Sequence, residues 1–205
     1  MNLKSAFAAV LCVSSALCAA GCASSPSARN DGGPALSFRG AARTNASPAA
    51  GEKVQSPLPA PTGFVNDYAK VVGAETRAAL EAKLARLKER ARVELAVATV
   101  ETTGGRDIFD YSLAVARGWG IGPPKGEDGG GVLLLLSVND RQWWIQVTRS
   151  LEADLPNETT DEIGRRMTPH LRADNYDAAV RACVEGLVKH LAARRGFDAE
   201  AVLKD

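Results

Sequence analysis

The sequence predicts a small three-layer α/β sandwich, and three observations carry that prediction. The first is the apolar run over residues 132–136, flanked by glycines and closed by Ser137. It has strand length and no polar alternation, the mark of a strand buried on both faces. The second is the return stretch Gln142–Val147, rich in aromatic and β-branched residues, which follows the turn-forming residues Val138-Asn139-Asp140-Arg141 and makes the pair a hairpin. The third is the alternation of helical and strand-like segments around that hairpin, whose apolar faces both need cover.

In chain order, residues 1–21 carry one early positive charge, Lys4, then an apolar stretch over 6–20 and small residues. This is the pattern of a secretory signal peptide, too short and too weakly apolar for a dependable membrane span. Its end, Leu17-Cys18-Ala19-Ala20-Gly21-Cys22, resembles the bacterial lipoprotein cleavage box, in which cleavage exposes a cysteine carrying a diacylglycerol thioether. That resemblance implies an acylated Cys22 as the mature N-terminus, with Ala19 standing where the box prefers leucine. The alternative is an ordinary signal peptide cut at an Ala-x-Ala-like site, with Cys22 a bystander. Each buried methylene contributes about 0.8 kcal/mol, and two acyl chains suffice for stable anchoring. Ala23 follows where an aspartate would suggest inner-membrane retention, so the expected place is the outer membrane, facing the periplasm. Residues 22–61 are rich in Ser, Ala, Pro, Gly and Asn and lack apolar periodicity. They are expected to form a disordered tether with a reach of about 35 Å.

The folded domain is expected over 62–196, with 197–205 as a C-terminal tail. A helix is predicted over about 74–92, where Leu80, Leu84, Leu87 and Ala91 form one apolar stripe. A strand follows over 94–100. Gly104-Gly105 break the chain, and Asp107 opens a helix to about Arg117 that buries Ile108, Tyr111 and Val115. Glycines and prolines over 118–124 end it. After the hairpin, a helix over about 157–172 turns Ile163, Met167, His170 and Leu171 inward. Another over 174–195 buries Tyr176, Val180, Cys183, Leu187 and Leu191, with Asp174 or Asn175 as N-cap and Gly196 as C-cap. The expected architecture is a small mixed sheet of three to four strands with about four helices.

At 205 residues, 45% hydrophobic and 24% charged, the chain fits one globular domain plus a further segment. A formal net charge of +1 gives no electrostatic footprint for a nucleic-acid partner. Cys12, Cys18 and Cys22 precede the domain, which leaves Cys183 as its one thiol. A disulfide framework and a cysteine zinc cluster are therefore excluded there, and Cys183 reads as a small buried hydrophobe. Gly129-Gly130-Gly131 precede a strand and not a helix, so a phosphate-cradling loop is not indicated. Trp143 and Trp144 point to opposite faces of one strand.

Several strings then coincide. Phe64-Val65-Asn66-Asp67-Tyr68-Ala69, Gly118-Trp119-Gly120-Ile121-Gly122, Glu127-Asp128-Gly129-Gly130-Gly131-Val132, Asn139-Asp140-Arg141 and Leu151-Glu152 together resemble the TPM domain, over roughly 64–192. That family is named for thylakoid-lumen, photosystem-repair and acetylcholine-receptor-modulating members. The resemblance implies an extracytoplasmic, Rossmann-like α/β/α sandwich; some members are described as acid phosphatases and some as calcium binders. Where the family usually has Gly-x-Gly-Leu-Glu, this chain has Thr148-Arg149-Ser150-Leu151-Glu152, a stiffer loop with an added guanidinium.

Topology sorts the carboxylates. With the strands over 94–100 and 131–137 parallel, Asp67, Asp140 and the Asp107 region fall at their C-terminal edge. Asp128, Glu152 and Asp154 fall at the other, about 20 Å away along the strands. Asp128 and Glu152 are the preferred metal-ligand pair, because calcium takes several oxygens and a glycine-rich loop can add carbonyls beside a carboxylate; Asp67 is a further candidate ligand. The plainer readings are that Asp128 shapes a turn, Glu152 is a solvated loop residue, Asp67 caps the first helix and Asp140 belongs to an ordinary hairpin turn. No catalytic residue is assigned. The functional expectation is an accessory or protein-interaction module of the cell envelope, bound to the membrane through Cys22, with an envelope protein of unknown identity as partner and calcium as the candidate cofactor. The alternative is a metal-assisted acid phosphatase, in which an ion on Asp128 and Glu152 polarises a phosphoryl oxygen.

Overall fold

The computed structural model describes residues 39–40, 55–123 and 128–204. The expected signal peptide over 1–21, Cys22, most of the tether and part of the glycine-rich loop (124–127) lie outside the described residues. The sheet has the order β1-β5-β4-β3-β2, formed by β1 (Arg39–Gly40), β2 (Val65–Asp67), β3 (Val93–Val100), β4 (Gly130–Ser137) and β5 (Gln142–Val147). Strands β2, β3 and β4 run parallel, β5 returns antiparallel to β4, and β1 pairs parallel with the start of β5. The expected three-layer α/β fold is therefore present, with a mixed sheet.

Alternation along the strands explains the unbroken apolar runs. Leu95, Val97, Val132, Leu134, Leu136, Trp143 and Ile145 face one core, while Ala96, Ala98, Leu133, Leu135 and Trp144 face the other. The first core is covered by α1 (Ala74–Ala91), α3 (Asn157–Arg165), α4 (Thr168–Arg172), α5 (Tyr176–Arg195) and α6 (Ala199–Leu203); the second is covered by α2 (Ile108–Trp119). Both tryptophans are buried, one in each core. Cys183 is fully buried in the first core, and burial pushes its thiol far above the usual range.

Four elements differ from the sequence reading. Residues 39–40, inside the segment expected to be a disordered tether, pair with β5 as β1 and give the sheet a fifth strand. Residues 65–67, where no strand was expected, form β2 through pairing of Val65 and Asp67 with Val97 and Thr99. The helix expected over 157–172 divides into α3 and α4, with Pro169 in the first turn of α4. Proline lacks the N–H that a continuous helix would need and is tolerated at a helix start. Residues 197–205, expected to trail from the domain, supply α6, whose Val202 is fully buried. Arg86 of α1 donates to the carbonyls of Val202 (3.0 Å) and Lys204, fixing this last helix. The caps of α5 follow the expected chemistry: Asn175 accepts from Ala178 N–H at 3.0 Å, and Gly196 takes a left-handed φ of 74°.

Candidate functional site

Parallel β2, β3 and β4 bring three loops to one rim, at their C-terminal ends, where α1 and α5 also begin. Open α/β sheets place ligand contacts at this kind of edge. Asp67 ends β2. Its carboxylate accepts from Val71 N–H (3.1 Å), Val72 N–H (2.9 Å) and the Thr99 hydroxyl, so it pins the loop that leads into α1. Lys70, inside that loop, takes a left-handed φ of 56°, a conformation that such pinning can hold. The α1 entrance is tied to α5 by Asp177, which accepts from Gly73 N–H at 2.8 Å.

Asp140 does the equivalent for the hairpin turn. It accepts from Ser137 Oγ (2.6 Å), Thr103 N–H (2.7 Å), Thr102 Oγ1 (2.9 Å) and Thr103 Oγ1 (3.1 Å). Burial pulls the Asp140 pKa up, but the bonds from Ser137, Thr103 and Thr102 outweigh it and hold the carboxyl below its ordinary value. Thr103 Oγ1 has one proton, shared between Asp140 and the nearer Arg106 carbonyl at 2.8 Å, which ties down the glycine-containing loop ahead of α2. Asp107 caps α2 by accepting from Phe109 N–H at 3.0 Å. Beside the hairpin, Tyr176 has its phenol pKa raised by burial and by the Asp174 charge, against an opposing effect of Arg141. The three rim loops are thus held by side chains at the strand ends, in the hairpin and on α5.

The opposite edge carries two separate clefts. Asp128, which is exposed, shares a cleft of about 380 Å³ with Lys88, Arg92, Glu94 and Gly122. There Lys88 pairs with Glu94 at 3.3 Å, and Gly122 N–H donates to the same carboxylate at 3.3 Å. Glu152 lines a different cleft of about 200 Å³, between α2 and the end of β5, with Phe109, Leu113, Arg117, Gln146 and Arg149. Asp154 pairs with Arg195 at 2.7 Å, and its carbonyl meets His190 Nε2 at 2.9 Å.

Of the three expected metal ligands, Asp128 and Glu152 therefore share an edge but not a cleft. Asp67 stands at the far end of the sheet: β2 meets β3 at Thr99, whereas the Asp128 loop enters at Val93, about 20 Å away at strand rise. Among the described residues, no three His, Cys, Asp or Glu side chains converge on one point. Among the described residues, the Asp128 cleft sets Asp128 and Glu94 beside the ammonium of Lys88 and the guanidinium of Arg92. Sequence reasoning missed Thr99, Thr102, Thr103 and Ser137 as the partners of the rim carboxylates. The hydroxyl residues at the ends of β3 and β4 were the available signal.

A family model described as the TPM domain matches residues 65–190. The fold is also similar to a solution structure of the N-terminal domain of a protein from P. gingivalis, at 28% identity and a TM-score of 0.59, covering 66% of this chain and 85% of that one. A second similar structure, the N-terminal domain of a Corynebacterium glutamicum protein, has 14% identity and a TM-score of 0.50 over 70% of this chain and 89% of that one; at that identity it speaks for the fold alone. No curated protein matches the chain. The matched span begins in β2 and ends in α5, and so contains the rim loops and both clefts. The chain belongs to the TPM-domain family.

Proposed function

We propose that the chain is an accessory, protein-interaction module of the bacterial cell envelope. In this reading an acylated Cys22 holds it to the outer membrane, the domain faces the periplasm, and the rim of the sheet meets a protein partner. The observation that carries the reading is how the rim carboxylates are used. Asp67 and Asp140 turn their oxygens onto donors of their own chain, which fixes the rim loops before any partner arrives. Fixed loops lose less conformational entropy on binding, so more of each contact appears as affinity. The surface they present is polar and of mixed sign, with Lys70, Arg106, Asn139, Asp174 and Asn175 all exposed. Anchoring is supported by the run Leu17-Cys18-Ala19-Ala20-Gly21-Cys22 and by Ala23 after it.

Metal-assisted phosphatase chemistry is not favoured, because it would need Asp128 and Glu152 around one ion and they line separate clefts.

The test is site-specific photocrosslinking of the full-length chain in intact cells, with the reactive group at Asn139, Asn175 or Arg149. A discrete adduct from both rim positions and none from Arg149, at the opposite edge, is the expected result. Equal labelling from all three positions would overturn the rim assignment. Incorporation of labelled fatty acid that survives in Cys22→Ser would overturn the anchor.

A further inference from the structure

The second core is covered unevenly. Helix α2 packs over β4 and β5, yet the small residues Ala96 and Ala98 of β3, on the same face, are buried as well. Beside them runs the segment Ser56-Pro57-Leu58-Pro59-Ala60-Pro61, a strap of alternating prolines ahead of β2. Leu58 packs against the second core together with Tyr68, Trp119 and Ile121. Two aromatic donors converge on one strap carbonyl: Trp119 Nε1–H reaches Pro59 O at 2.8 Å and the Tyr68 hydroxyl reaches it at 3.4 Å. Gly118 lets the strap approach the α2 backbone, since a Cβ there would fall 2.6 Å from Ser56 Cα.

We infer that this face is a recognition groove for proline-rich extended peptides, which the chain's own strap occupies. The chemistry is the one such segments require. A chain with proline at every second position has three fewer N–H donors, and its other residues are steered to extended backbone. It offers stiff apolar rings and carbonyl acceptors, and it is recognised by aromatic walls with a donor aimed at a carbonyl. Here Trp119 and Tyr68 supply both wall and donors, and Leu58 supplies the apolar anchor. The occupant that the groove would take from a partner is a segment of the same kind, Pro-Leu-Pro with a free carbonyl on its second proline. This site is distinct from the loop rim proposed above and does not depend on it.

The test uses the full chain with ¹⁵N-labelled tryptophan, titrated with a capped peptide of residues 55–62, Gln-Ser-Pro-Leu-Pro-Ala-Pro-Thr. The readout is the Trp119 indole N–H resonance. A strap held in cis competes at an effective concentration on the order of millimolar, so the wild-type chain should respond only near that concentration. Leu58→Ser weakens the strap and leaves the groove intact; its midpoint should fall about tenfold or more. Gly118→Ala alters the groove itself, where the new methyl collides with strap and peptide alike, and should abolish the response. Because alanine is the better helix former by about 1 kcal/mol, that variant should stay folded. Equal midpoints in wild type and Leu58→Ser, or a full response in Gly118→Ala, would overturn the inference. So would a Leu58→Ser chain that ignores the peptide and self-associates, which would assign the face to a contact between copies.

Discussion

Replacing Asp140 by alanine should destabilise the domain, and the size of the loss follows from the donors left behind. Four donor groups, the Thr103 N–H and the hydroxyls of Ser137, Thr102 and Thr103, converge on this carboxylate. Thr102 is exposed and can turn to water. Ser137 is 0% exposed and Thr103 4%. The Ser137 hydroxyl can rotate toward another acceptor, but the Thr103 amide is fixed by the backbone. A buried donor without a partner costs about 1–3 kcal/mol, and a hydrogen bond to a charged group contributes about 1.5–3 kcal/mol before overlap and solvent screening are discounted. A net loss of about 2–3 kcal/mol is therefore expected for Asp140→Ala, read as a drop in the urea midpoint of about 1 M or more at an ordinary slope. The pH dependence supplies the stricter test. The folded-state pKa lies below the unfolded value, so this stabilisation is fully present above the unfolded pKa, near about 4, and is lost as pH falls through the folded one. The gap between wild type and variant should narrow on acidification below about pH 4. A midpoint unchanged at neutral pH, or a gap that stays constant down to acid unfolding, would refute the bracing role of Asp140.

Gly164→Ala places a Cβ inside the contact envelope of the Trp143 ring; overpacking of about 1–3 kcal/mol outweighs a helix-propensity gain of about 1 kcal/mol, so the urea midpoint should fall and the near-ultraviolet dichroism of Trp143 should change. Val202→Ala removes packing from a fully buried position in α6 and should cost about 1–2 kcal/mol, whereas no loss in melting temperature would mean that α6 is not docked. Cys183, enclosed in the first core with its thiol pKa raised by burial, should resist alkylation in the native chain and react once the domain is unfolded, with the modified peptide identified by mass spectrometry. Labelling at the rate of an exposed thiol would contradict the packing of α5.

The parts of the fold visible in the sequence were those where one side chain's character settles its place. Glycine-flanked Val132 and the leucines after it read as a doubly covered strand, and the Trp143–Trp144 pair had to point to opposite faces, both of which are covered. Strand β2 was not visible, because Val65-Asn66-Asp67 carries no apolar run; it is a strand only because β3 is there to pair with it. The α3–α4 break had its signal in Pro169, but a continuous apolar stripe over 163–171 outweighed it. At the rim, topology alone brought Asp67 and Asp140 to one edge. Their partners depend on hydrogen-bond geometry, which residue spacing does not contain: Asp177 meets Gly73 across 104 residues. The expected pairing of Asp128 with Glu152 failed to specify a cleft for a related reason. Sharing a sheet edge fixes position along the strands and leaves open which strands a residue stands beside: Asp128 enters by β3 and β4, Glu152 follows β5.

The 104-residue span between Gly73 and Asp177 also sets an order of events during synthesis. β2, α1 and β3 are local to one another and can form early, and the β4–β5 hairpin closes through a short turn. Helix α5, which fills the first core against α1, is made after every strand of the sheet. Until it arrives, Leu84 and Leu87 of α1 lack part of their cover, so completion of the domain waits on a long-range closure of the kind that slows folding. Until α5 is made, the apolar face of α1 is thus open to proteases and to self-association.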